Sequence, residues 1–73
     1  MIQSQTVLEW MAEGQAMGKV EALLGVLEVR FGPVPAELAA PIRATTDPNV
    51  LHGWIMLAAR ASSLESFRHD AGL

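Results

Sequence analysis

The chain has 73 residues, no cysteine, a net charge of −3, and a composition that is 51% hydrophobic and only 18% charged. A length of this order permits one domain, whose single core rarely supplies more than about 3–5 kcal/mol, and an apolar balance of this kind argues against disorder and for surface hidden in a partner. The lack of cysteine excludes disulfides and thiolate metal sites, while five scattered basic residues (Lys19, Arg30, Arg43, Arg60 and Arg68) on an acidic chain argue against direct nucleic-acid binding.

The N-terminal stretch MIQSQTVLEW has neither the charged start nor the apolar run of a signal peptide. The longest apolar stretch, Val20 to Phe31, is interrupted by Glu21, Glu28 and Arg30 and is too short and too charged to span a bilayer. A soluble cytoplasmic protein without membrane contact is expected.

The first predicted element is a long helix from about Gln3 to Phe31. It is stopped by Gly32, suited to the left-handed position after a helix, and by Pro33, which cannot continue one. At 1.5 Å per residue it is roughly 40 Å long, more than the remaining chain can cover.

Two stripes run along this helix. Trp10, Met17, Leu24 and Phe31 repeat every seven residues and are widened by Val20 and Leu27, which predicts the core face. Val7, Met11, Gly14, Gly18, Ala22, Gly25 and Val29 fall within about 80° of arc. Glycine inside a helix costs about 1 kcal/mol relative to alanine, so this alignment predicts a groove where another backbone approaches closely. The competing interpretation is a flexible spacer, since Glu13 to Gly18 has a low-complexity character. The groove predicts an interface through Met11, Gly14, Gly18, Ala22, Gly25 and Val29, with a second copy of the chain as its cover.

Residues 33–73 predict a compact group of three short helices. In VPAELAAPIRAT, Pro35 fits the first turn and Pro41 lies deep enough to impose a kink or to split the segment into two short turns. In TTDPNVLHGWIMLAARA, Asp47 and Pro48 read as N-cap and first helical residue, and Leu51, Trp54, Ile55 and Ala58 make one buried face. In SSLESFRHDAGL, Ser62 and Glu65 form a capping box, Leu64 and Phe67 are the apolar pair, and Gly72 marks the end. The expected fold is all-α. Its core unites Trp10, Met17, Val20, Leu24, Leu27 and Phe31 with Leu38, Ile42, Leu51, Trp54, Ile55 and Phe67.

No catalytic constellation emerges, and no cofactor or metal is expected. The glycines of EGQAMGKVE lie within a helix and lack the strand that a phosphate loop requires. His52 is isolated on the polar side of its helix. His69 and Asp70, being adjacent, do not face one ligand. Glu9, Glu13, Glu21 and Glu28 read as solvated helix charge rather than acid–base pairs.

Three features taken together, AEGQAMGK before a leucine-rich helix, its ending in RFG plus prolines, and then ATTDPNVLHGWIMLAARASSLESF, give residues 12 to 70 a family likeness. This run resembles the C-terminal region of Rpn/YhgA-like proteins, the recombination-promoting nucleases of the PD-(D/E)XK superfamily, also described as transposases. Pro41 and Gly53 depart from the regular helices of that pattern. The family's nuclease core, with its Asp and Glu-x-Lys metal positions, has no counterpart among these residues, so the resemblance carries over no catalytic role. It implies an accessory or oligomerising segment that assembles or regulates a parental full-length nuclease. Its alternatives are an inert tail of an active nuclease and a small protein-interaction adaptor.

Overall fold

A computed structural model of the chain describes the backbone of residues 3–73 and the side chains of residues 14–73. Four helices follow one another with no strand among the described residues: α1 (Gln3–Phe31), α2 (Ala36–Ala44), α3 (Pro48–Arg60) and α4 (Leu64–Ala71). The fold is all-α, and each helix ends where local chemistry dictates.

Helix α1 stops at Gly32, whose φ of +90° is open to glycine at little cost; its N–H still donates to the Glu28 carbonyl at 2.9 Å. Pro35 is the residue just before α2, not a member of its first turn, and its carbonyl accepts from the N–H groups of Leu38 and Ala39 at 3.0 and 2.9 Å. Pro41 does not divide α2, contrary to the expectation of two short turns; one helix runs from Ala36 to Ala44. The lost N–H would have met the carbonyl of Glu37, and both Glu37 and Pro41 lie on the exposed side of the helix. Meanwhile Leu38 and Ile42, one turn apart, are both fully buried and hold the two halves in line.

Helix α3 begins as its sequence predicts: the Asp47 carboxylate accepts from the Asn49 N–H at 2.9 Å, with Pro48 next in line. Helix α4 is capped one residue later than expected. Ser63, not Ser62, accepts from the Ser66 N–H at 3.1 Å, so no Ser62–Glu65 box forms. The reason lies at the end of α3, where the buried Ala61 has its carbonyl held by Arg30, leaving Ser62 to make the bend. Gly72 closes α4 with φ +74°. The Leu73 N–H reaches back to the Arg68 carbonyl at 2.9 Å, which satisfies an orphan carbonyl of the last turn.

Helix α1 packs chiefly on α3, with α4 leaning on α3 and α2 bridging back to α1. The core is Ala16, Val20, Leu23, Leu24, Leu27, Leu38, Ile42, Leu51, Ala58, Ala61 and Phe67. No buried residue among those described is polar or charged. Phe31, Trp54 and Ile55 pack against the core while remaining partly exposed. Met17 is a correction: predicted to be core, it is 70% exposed. Leu23 takes that role and is fully buried. Trp10 lies outside the residues whose side chains are described.

The 29 residues of α1 measure about 43 Å, whereas the 13 residues of α3 measure about 20 Å. Among residues 14–31 of α1 the buried positions run from Ala16 to Leu27, and the molecule is elongated, 48 × 19 × 18 Å. Helix α1 is about twice as long as α3.

Gly53 tests the local energetics separately from any partner. It is exposed in the middle of α3, and a Cβ built there would meet no heavy atom within 4 Å. Gly53→Ala is therefore expected to stabilise the protein by roughly 0.5–1 kcal/mol. The check is a rise in thermal midpoint of about 4–8 °C per kcal/mol gained.

Candidate interaction surface

Helical geometry at about 100° per residue places the buried row Ala16, Val20, Leu23, Leu24 and Leu27 in one arc of α1. The small-residue stripe lies roughly 180° away by the same geometry. The structure therefore keeps every described member of that stripe out of the core: Gly14, Gly18 and Ala22 are exposed, Gly25 is half-buried and Val29 is 87% exposed. A Cβ added to Gly14, Gly18 or Gly25 would find nothing within 4 Å. No close approach inside the chain requires these glycines. Met11, predicted to belong to the same interface, lies outside the described side chains.

Flanking charges are uneven. Glu21 and Glu28 stand on one side of the stripe and Lys19 on the other. Glu21 accepts from Arg43 of α2 at 3.0 Å, an exposed pair worth at most about 1 kcal/mol. Two open hollows of ≈ 330 and ≈ 360 Å³ lie along the α1–α2 seam on either side of this pair. The first is floored by Ala16 and Val20 beside the exposed Met17; the second lies over Leu24 and Gly25 with Glu28 at its edge. Thr45 and Thr46 also line the first hollow, and Glu21 and Arg43 border both.

Among the described residues no group of three His, Asp or Glu side chains gathers to hold a metal ion. His52 is exposed on α3, and His69 Nδ1 lies 3.5 Å from the Asp70 carboxylate at the surface of α4. Arg30 makes a structural contact that composition and spacing do not single out. Its guanidinium donates to the carbonyls of Ala58 and Ala61 at 2.7 and 2.6 Å, closing the C-terminal end of α3. It also stands over the Phe31 ring, 4.8 Å from the centroid. The available signal was a basic residue in the last turn of a long helix, a place where positive charge is favoured.

No described helix is long and apolar enough to cross a membrane. No family model matches the chain, and no curated protein or solved structure matches it.

Proposed function

We propose that this chain is a non-catalytic helical module that self-associates through α1, with a dimer as the favoured form, and that it serves to assemble or regulate a nuclease of the Rpn type. The first part is carried by one observation: on the side of α1 opposite the core Gly14, Gly18, Ala22 and Val29 are exposed and Gly25 is half-buried, with nothing within 4 Å of a Cβ built on any of the three glycines. Each glycine there weakens the helix by roughly 0.5–1 kcal/mol, and nothing within the chain offsets it. A spacer explains the row less well, because Gly14, Gly18 and Gly25 stand inside one unbroken helix. Length adds support, since α1, at about 43 Å, is about twice as long as any other helix of the chain. The nuclease association rests on the resemblance of residues 12 to 70 alone.

Light scattering from micromolar to near-millimolar protein is expected to give at least twice the 7.9 kDa chain mass, persisting on dilution. Gly18→Leu and Gly25→Leu should each return the protein to a folded monomer, because both positions are spacious in the isolated chain and closed in a tight helix pair. A 7.9 kDa particle throughout, or unchanged mass in both variants, would sink the self-association reading. Co-purification with a full-length nuclease of that type tests the second part.

A further inference from the structure

We propose that α2 is a strap: it lifts from the molecule as one unit while α1 and α3 stay folded, and so uncovers a continuous apolar trough along α1. The device is independent of self-association.

The hold on α2 is narrow. Of its nine residues only Leu38 and Ile42 are buried; Ala39 is half-buried and the rest are exposed. Those two side chains stand one turn apart, so a single apolar line joins α2 to the core. Pro41 supplies no N–H to the Glu37 carbonyl, which weakens the helix within its own span. Helices α1 and α3 form the principal packing of the fold, and Leu23, Leu27, Leu51, Ala58 and Phe67 remain together when Leu38 and Ile42 leave. Elements with few buried apolar contacts and exposed backbone open at the lowest free energy.

The caps give the unit clean edges. The Gly32 N–H bonds back into α1, and the Pro35 carbonyl accepts only from α2. At the other end Thr45 belongs to α2, its N–H reaching Ile42 at 3.2 Å and its hydroxyl donating to the Pro41 carbonyl at 2.9 Å. Asp47 caps α3. Neither neighbouring helix loses a cap when α2 departs.

Charge completes the hold, one pair at each end. Arg43 meets Glu21 of α1 at 3.0 Å, and Glu37 meets Arg68 of α4 at 3.8 Å. All four side chains are more than a third exposed, so both pairs are weak and screened by salt. The hollows of ≈ 330 and ≈ 360 Å³ both border the Arg43–Glu21 pair. Lifting α2 breaks that pair and joins the two hollows over Val20 and Leu24.

Native-state hydrogen exchange tests the strap at one fixed protein concentration. The amides of Ala39, Ile42 and Arg43 should show protection at least about tenfold below that of Leu23 and Leu24 in α1 and Ile55 in α3. Low urea should speed exchange in α1 and α3 and leave α2 almost unchanged, because opening α2 exposes little surface. Gly53→Ala supplies the second reading. It strengthens α3, which stays folded when the strap lifts, so protection should rise about two- to fivefold in α1 and α3 and not in α2. Equal protection in all three helices, an equal response to urea, or a rise in α2 matching that in α3 would mean that α2 leaves only when the whole fold does, and overturns the strap.

Discussion

Replacing Phe67 with alanine is expected to leave most of the protein unfolded at 25 °C. Phe67 is the largest side chain of the core and is fully buried, where α4 closes on the rest of the cluster. Truncating a buried phenylalanine removes about 3–5 kcal/mol through lost transfer energy and the cavity left behind. A single core in a chain of this size supplies about the same amount. The two terms nearly cancel, so the folded population falls to a minority. Far-UV circular dichroism and urea titration read this directly, and a variant that kept its helical signal and a urea midpoint near the parent's would contradict the placement of α4. Association stabilises whatever folded protein remains by mass action, so the loss should be most severe in dilute solution.

Arg30→Met is the second large expected effect, and it acts at a helix end instead of in the core. The last carbonyls of a helix have no partner within it. Those of Ala58 and Ala61 are met by one guanidinium reaching across from α1, while the Ala61 N–H closes on Leu57 at 2.8 Å. Methionine keeps much of the apolar stem and removes both donors and the charge. Hydrogen bonds from a charged donor contribute about 1.5–3 kcal/mol, and partial exposure of Arg30 reduces this to roughly 1–2 kcal/mol. Hydrogen exchange should show the loss first at the end of α3 and at the Ser62–Ser63 bend, with the middle of α1 protected as before. Uniform loss of protection along the chain would assign Arg30 a different role.

Three helix boundaries are legible in the sequence because each is set by one or two neighbouring residues. Gly32 with Pro33, Asp47 with Pro48, and Gly72 act through their own backbone or side-chain chemistry, and all three sites do so in the structure. What the sequence could not supply was the rotation of α1. This helix is apolar around most of its circumference, and a seven-residue repeat centred on Trp10, Met17, Leu24 and Phe31 places its inner face about 65° from the buried row of Ala16, Val20, Leu23, Leu24 and Leu27. Hence Met17 was assigned inward and Leu23 overlooked. The choice between them belongs to α3, distant in the chain. Ser62 and Ser63 differ in the same way: both are able caps, and selection between them comes from Arg30, more than thirty residues away. The candidate surface was legible as a row of small residues. Its position opposite the core followed only once the core row was known.

The elongation of the fold has a hydrodynamic consequence. Its radius of gyration is 13.5 Å, whereas a compact chain of 73 residues measures about 11 Å. A radius of 13.5 Å belongs to a compact globule of roughly 120 residues. A single copy therefore diffuses more slowly and elutes earlier than a compact chain of its mass, and for the same reason it sediments more slowly. Friction alone imitates partial pairing in this molecule, and the retarded tumbling about its short axes should appear as anisotropic relaxation of the amides along α1, whether or not a second copy is present.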